Sequence, residues 1–386
     1  MSEIYLDHAA TTPISAPVLA ELTKQYQKTF GNPSTLYQLG RAANQVLEAS
    51  RHVMAASINA QDSEIVFTSG GTESDNTAII RTAEARQDLG KHLITTAIEH
   101  EAVLKPMHYL EQHGYRVTYL PVDEHGTIRM ADLEAALDDE TTLVSIMSVN
   151  NEVGSMMPIH EIGELLQDHQ AWFHTDAVQA YGLEDIDVER DHIDLLSTSA
   201  HKLYGPKLLG FLYRRADLKF PSYIMGGDQE DKRRAGTQNV PAIAGFATAV
   251  QQLPSAKKQE LRERFRGFRD QILTRFADQE ITVYVNGPEA GAGSPHVLNL
   301  WFPGTSTYVL QNNLDLDGIA VSGGSACTAG NLEPSHVLTA MFGKDSPRLN
   351  ESIRVSFGKY TTAAEIDQFV TTTSKIIHRL AERRRH

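Results

Sequence analysis

Between about residue 60 and residue 215, short apolar runs alternate with longer amphipathic ones, and this alternation restricts the fold more than any other feature of the chain. The apolar runs are Glu64–Thr68, His92–Thr96, Arg116–Leu120, Thr142–Ser148, Trp172–Thr175, Leu195–Ser199 and Gly210–Tyr213. Between many of them the segments Glu73–Glu84, Ala102–Gln112, Met130–Leu137 and His160–His169 carry helical spacing. Strand-helix alternation of this kind predicts an α/β fold with a mostly parallel sheet. Ligands of such sheets gather beyond the carboxyl ends of the strands.

At 386 residues the chain exceeds one simple core. A charged amphipathic stretch over Ala256–Gln279 follows the loop at Pro254 and reads as the connector into a second unit. Beyond it lie strand-like runs at Ile281–Val285, His296–Trp301 and Ser352–Ser356, then a closing helix from Ala363. The expected division is a large domain over 14–257 and a smaller α+β domain formed by 1–13 and 258–386.

Composition removes several function classes. The formal charge of −14 argues against broad contact with nucleic-acid backbone. The basic run Arg383-Arg384-Arg385 reads as the tail of the last helix. No apolar run reaches the roughly 18 residues of a membrane span, and the N-terminus lacks the basic-then-apolar pattern of a secretory signal. No spacing of metal ligands is present. A single cysteine excludes an internal disulfide framework and fits a reducing cytoplasm.

That cysteine, Cys327, lies in Ser322-Gly323-Gly324-Ser325-Ala326-Cys327-Thr328-Ala329-Gly330, among residues too small to pack around a thiol. A sulfur so placed is expected to be accessible and reactive. Elsewhere, Gly70-Gly71-Thr72-Glu73-Ser74 follows a strand and opens a helix, so its backbone N–H groups form a phosphate cup. A plain helix start capped by Thr72 or Ser74 is the competing reading. Asp176 ends the run Trp172–Thr175, where a carboxylate needs a cationic partner. Lys202 follows Leu195–Ser199 at the same sheet edge; alone it could be an ordinary surface lysine. With the cup and the acid, it reads as a lysine that forms a Schiff base with an aldehyde cofactor, whose pyridinium nitrogen the acid would hold protonated.

These residues belong to a longer series of motifs. Tyr5-Leu6-Asp7-His8-Ala9-Ala10-Thr11-Thr12, Gly31-Asn32-Pro33-Ser34 and Thr68–Ser74 come first, then Glu99-His100, Asn150–Gly154 and His174–Gln179. Ser199–Lys207, Gly236-Thr237, Ser325-Ala326-Cys327-Thr328 with Leu332-Glu333-Pro334-Ser335-His336, and Ser352-Ile353-Arg354 complete it. In this order the chain resembles the cysteine desulfurases of the NifS/IscS type, within the fold-type-I pyridoxal 5'-phosphate enzymes. The resemblance implies a large domain with a mostly parallel seven-stranded sheet plus a smaller α+β domain, and a homodimer. It implies Lys202 as the cofactor lysine and mover of the substrate's Cα proton, Asp176 at the pyridinium nitrogen, Gln179 at the phenolic oxygen and His100 stacked on the ring. Gly71, Thr72, Ser199 and His201 would hold the phosphate, with Thr237 reaching in from the partner subunit. Asn151 and Arg354 would take the substrate carboxylate, with Asn32 nearby, as suits arginine's bidentate fork. L-Cysteine would leave as L-alanine, its sulfur kept as a persulfide on Cys327. The loop at about 322–338 resembles the group with a long mobile cysteine loop, which would pass sulfur to an acceptor protein.

Departures from the family pattern bear on the acceptor and the dimer. Asp228, Asp231 and Lys232 stand where Gly, Arg and Gly are often seen, and Tyr37 replaces a histidine. The chain stops soon after the helix through Ile377, without the extension of members that dock an iron–sulfur scaffold. A tRNA-thiolation enzyme therefore stands beside iron–sulfur assembly as the destination of the sulfur. A selenocysteine lyase, an aminotransferase and a non-catalytic partner-binding scaffold are the alternatives on this fold. A nucleotide-binding dehydrogenase is disfavoured because the glycine pattern is wrong.

Overall fold

The structure, a computed structural model, describes residues 3–323 and 334–384, so Cys327, Leu332 and Glu333 lie outside the described residues. The chain opens on strand β1 (Ile4–Tyr5) and helices α1 (Ala16–Lys28) and α2 (Gln38–Ala56). Strands and helices then alternate: β2 (Ile65–Thr68), α3 (Gly71–Arg86), β3 (His92–Thr96), α4 (Glu101–Gln112), β4 (Arg116–Leu120), α5 (Met130–Ala136), β5 (Thr141–Ser145), α6 (Ile159–Leu166) and β6 (Trp172–Asp176). Next come β7 (Leu195–Ser197), β8 (Gly210–Arg214), α7 (Val240–Gln251) and α8 (Ser255–Asp278). The remainder is β9 (Tyr284–Asn286), β10 (Val297–Trp301), α9 (Thr307–Leu316), β11 (Ile319–Ala320), α10 (His336–Phe342), α11 (Arg348–Glu351), β12 (Ser352–Ser356) and α12 (Ala363–Arg384).

The main sheet has seven strands in the order β2-β8-β7-β6-β5-β3-β4. All run parallel except β8, which is antiparallel to both neighbours. Residues of β2, β3, β5 and β7 are buried along the whole strand, because helices cover both faces. That is why these strands read as continuous apolar runs rather than as alternation. The expected strands at Thr142–Ser148 and Leu195–Ser199 end earlier, at Ser145 and Ser197. There the backbone leaves the ladder for the loops that carry the site.

A second sheet, β12-β10-β9, is antiparallel. It packs beneath α8 and α12 through aromatic contacts, with Phe268 5.6 Å from Phe357 and Phe276 5.4 Å from Phe302 and 6.1 Å from Phe369 between ring centroids. The expected strand at Ile281 begins three residues later, at Tyr284. Glu280 adopts φ +56° and Ile281 N–H donates to Phe276 O (2.9 Å), so α8's end consumes these residues. β1 pairs in parallel with β11, and Ser356 N–H donates to Leu6 O (2.8 Å). The N-terminal segment thus runs between β11 and β12.

Three consecutive non-glycine residues, Glu230, Asp231 and Lys232, have φ of +51°, +52° and +65°. Buried Glu230 over-determines this turn: it accepts from Arg51 Nη1 (2.7 Å), Arg51 Nη2 (3.0 Å), Phe67 N–H (3.0 Å) and Gln238 Nε2 (3.1 Å). Lys232 is exposed and gains only a loose contact with Asp228, at 3.9 Å. Lys232→Gly is therefore expected to stabilise the fold by up to about 1 kcal/mol, read as a rise in Tm of roughly 1–2 °C. An unchanged or lower Tm would show that the turn is not strained at this residue.

Candidate active site

The carboxyl ends of the parallel strands converge on one depression. After β2 the chain turns through Gly70, whose φ of +141° suits a residue without Cβ. No side chain caps α3; Ser74 Oγ instead bonds Thr68 Oγ1 at 2.8 Å. The first N–H groups of the helix and its positive end are thus left for an anion. Buried Ser199 faces the same turn, since a Cβ built on Gly70 would lie 3.5 Å from its Oγ. The approach is tight on the other side: a Cβ on Gly71 would come within 2.6 Å of Val178 Cγ2. Thr72 stands exposed in the first turn, and His201 Nδ1 lies 3.1 Å from Thr11 Oγ1.

Asp176 ends β6, buried, and accepts from Val178 N–H at 2.9 Å. Burial raises its pKa, while His100 and Lys202 draw it back down. Behind it sit two further buried acids. Asp75, whose Oδ1 has no hydrogen-bond partner among the described residues and lies 3.6 Å from His174 Nε2, is pushed well up by burial and by the Asp176 charge. Glu99, pushed up to about 8 by burial, accepts Met147 N–H at 3.0 Å and Thr96 Oγ1 at 2.7 Å. His174, on the same strand face as Asp176, lies 2.8 Å from Ser145 Oγ and 3.0 Å from Ser197 Oγ. Burial lowers it to about 3, so it is neutral.

Lys202 donates to the carbonyls of Ala9 (2.5 Å) and Ala10 (2.9 Å). Burial, aided by Arg354, lowers its pKa to about 8 against the opposing pull of Asp176 and Asp7. Residues 7–15 form a strap over this lysine: Thr12 Oγ1 donates to His201 O (2.7 Å) and accepts from Tyr204 N–H (2.8 Å). Gln179 Nε2 also donates to Ala9 O, at 3.0 Å, which leaves its second N–H for a ligand. Arg354, from β12, donates to Asn151 O (2.9 Å) and Asp7 Oδ1 (2.8 Å). Its buried Nε finds no partner among the described residues, as fits a guanidinium awaiting an anion.

His100 caps α4, its Nδ1 accepting from Ala102 N–H at 3.1 Å, so Nε2 carries the proton. The surrounding protein lowers its pKa; Asp176 pulls upward and Lys202 downward. The structure therefore brings together Gly71, Thr72, His100, Asn151, Asp176, Gln179, Ser199, His201, Lys202 and Arg354. Asn32 Oδ1 accepts from Ser34 N–H (3.0 Å) in its own turn. Thr237 stands exposed after Gly236. Cys327 lies outside the described residues, but the chain on either side reaches the site. Ser322 exchanges backbone bonds with Arg354 (3.1 and 2.7 Å), and Ser335 donates to Glu152 Oε2 (2.5 Å). His336 Nε2 donates to Glu99 O at 2.8 Å. The contacts of Asp7 and of the Ala9 and Ala10 carbonyls have no counterpart in the sequence reading. Asp7 alone gave a signal, as a carboxylate in a motif with no task assigned to it.

A lysine after β7, a buried acid ending β6 and a half-satisfied arginine from β12 of the second sheet meet at one site, an arrangement suited to an aminotransferase-like enzyme. Comparison with known proteins narrows this. Residues 4–369 match the aminotransferase class-V family, to which the chain belongs. A protein of Bacillus subtilis provisionally named cysteine desulfurase IscS 1 is 50% identical over 380 residues, covering 98% of this chain and 100% of its own. A solved NifS-like protein superposes with a TM-score of 0.90 at 34% identity, over 97% of this chain and 99% of its own. A structure of SspA in complex with cysteine has a TM-score of 0.80 at 34% identity, over 93% and 100%. Within class V the chain stands with the cysteine desulfurases.

Proposed function

We propose that the protein is a pyridoxal 5'-phosphate-dependent desulfurase that converts L-cysteine to L-alanine and passes the sulfur, through Cys327, to an acceptor protein. The observation that carries this reading is the convergence of Lys202, Asp176 and Arg354 between the ends of the segment that bears Cys327. The residues fit the cofactor: an uncapped helix start for a phosphate, a buried acid for a ring nitrogen and a lysine of lowered pKa for an aldehyde. Once bound, the cofactor would supply the electron sink that acidifies the substrate's Cα–H and weakens its Cβ–Sγ bond.

The chain's own residues supply the rest. Gly71, Thr72, Ser199 and His201 would hold the phosphate, and Gln179 would donate its second N–H to the phenolic oxygen. Asp176 would keep the ring nitrogen charged, and His100 would cover the ring face. Arg354 would grip the substrate carboxylate through its free edge, with Asn151 beside it. Lys202, with much of its amine neutral near pH 8, would take and return the Cα proton. The Cys327 thiolate would then attack the substrate's Sγ, forming the S–S bond of a persulfide as the Cβ–Sγ bond breaks. The bonding pair of the Cβ–Sγ bond stays with the three-carbon fragment, which gains a proton and departs as alanine.

Solved SspA with cysteine supports L-cysteine as the substrate. The exposed side chains of Phe30, Leu36, Leu208 and Met225 support burial against a second copy, which would also give exposed Thr237 a phosphate to hold. A protein thiol of tRNA thiolation or of iron–sulfur assembly would be the acceptor. Among the described residues no helix is long and apolar enough to cross a membrane, and the lone cysteine suits the cytoplasm. Purified protein given L-cysteine and a reductant should release sulfide and alanine in equal amounts. Cys327→Ser should retain the visible cofactor band and lose both products. Absence of both products from the unmodified protein would overturn the reading.

A further inference from the structure

The segment that presents Thr237 is fastened to its own subunit at three points. Gly236 N–H donates to Gln229 Oε1 at 2.9 Å, and Gln238 Nε2 donates to buried Glu230 Oε1 at 3.1 Å. Between these two bonds Thr237 is exposed. The third point is Arg234. Its Nε donates to Glu73 Oε1 (2.9 Å) and its Nη2 to Glu73 Oε2 (3.0 Å), a two-pronged grip on the first turn of α3. Its Nη1 lies beside Gly236, where an added Cβ would sit 3.4 Å away. Gly236 takes φ +108°, a conformation that suits a residue without Cβ.

Glu73 is part of the phosphate cup. Its Oε2 also accepts from Ser69 N–H at 2.8 Å, at the entrance to the turn through Gly70 and Gly71. Burial raises the Glu73 pKa, but Arg234 and the Ser69 N–H together hold it below the ordinary carboxylate range, so it is ionised. A carboxylate in the first turn repels an anion seated at the helix start. Arg234 matches that charge. One guanidinium therefore reaches both the cup of its own subunit and the glycine next to Thr237.

We propose that Arg234 is a positioning residue that ties together the two cofactor sites of the homodimer. In each subunit it locks the segment carrying Thr237 onto that subunit's own phosphate helix, so one cup sets the position of the threonine offered to the other. This rests on Thr237 holding the partner's phosphate. Fixing the segment before the phosphate arrives lowers the ordering cost of the new hydrogen bond. It also keeps the hydroxyl within the narrow range of distances at which such a bond forms.

The test uses mixed dimers, purified through two different tags, in which one chain is wild type and the other carries Lys202→Ala. The visible cofactor band then reports the wild-type chain's site alone. Apo dimers are titrated with pyridoxal 5'-phosphate, and half-saturation is read from that band. Adding Thr237→Ala to the Lys202→Ala chain should weaken capture by the unaltered chain roughly tenfold or more, the scale of a hydrogen bond to a charged group. Adding Arg234→Gln there instead should weaken it by about threefold or more. Arg234→Lys, which keeps the charge but not the two-pronged grip, should recover part of the loss. Glu73→Gln in the same chain reads the effect independently if the Arg234→Gln chain does not assemble. A packing role alone would lower Tm and leave capture by the wild-type chain unchanged. Unchanged half-saturation with Arg234→Gln or Glu73→Gln, where Thr237→Ala does weaken capture, would overturn the role of Arg234. Unchanged half-saturation with Thr237→Ala would overturn the partner-supplied threonine, and the inference with it.

Discussion

Lys202→Ala should abolish the visible cofactor band and lower sulfide release by about 10⁴-fold or more, the scale expected when a covalent catalytic group is deleted. The loss is chemical rather than structural. Among the described residues the lysine nitrogen is held by the Ala9 and Ala10 carbonyls, and its removal leaves two acceptors that water can satisfy. Circular dichroism and Tm should therefore stay close to the wild type. The lowered pKa adds a pH signature. An ordinary lysine near 10.4 is almost wholly charged at neutral pH, whereas Lys202 at about 8 exposes a growing neutral fraction. Capture of the free cofactor by apoenzyme should accelerate roughly tenfold per pH unit below pH 8 and level off above it. A rate that climbs unbroken toward pH 10 would show that the lysine is not perturbed. A band that survives in Lys202→Ala would assign the attachment to another residue.

Arg354→Gln is the second large effect. The guanidinium is buried, with one Nη on Asp7 and the other on the Asn151 carbonyl. Truncating it removes the anion site and leaves Asp7 without its cation. Breaking a buried, hydrogen-bonded charge contact costs about 2–5 kcal/mol. That corresponds to a fall in kcat/KM of roughly 30-fold to several thousand-fold. The cofactor band should persist, because no cofactor contact is assigned to Arg354. Asp7→Asn should act in the same direction but more weakly, raising KM while the arginine keeps its charge and loses its aim. If Arg354→Gln left KM for L-cysteine unchanged, the carboxylate would bind elsewhere.

Much of this site was legible because strand ends are. Asp176 and Lys202 each close a run of buried apolar residues, and a charged side chain at such a place carries a cost that must be offset. The glycine pair at 70–71 was legible for the same reason, since β2 and α3 are both strongly patterned. What escaped the sequence is contributed by backbone or by distance. The carbonyls of Ala9 and Ala10 have no side-chain signal, and their partner stands more than 190 residues away. His296 reads as the first residue of a strand, and only the fold brings its Nε2 to 3.1 Å from Gln179 Oε1. Asn32 and Thr237 mark the opposite case. Both sit in family motifs, yet the folded chain directs Asn32 into its own turn and leaves Thr237 facing outward.

The strap formed by residues 7–15 also sets a timetable for synthesis. Its carboxylate Asp7 waits for Arg354, 347 positions later, and the strap cannot be seated until β12 exists to receive Ser356 N–H on Leu6 O. A nascent chain can complete its seven-stranded sheet once residue 214 has emerged. Even then the strap has no partner for Asp7 until β12 has emerged as well. The sheet can thus be complete while Asp7 still lacks its cation, so chains stopped before β12 would have no guanidinium to offer a substrate carboxylate.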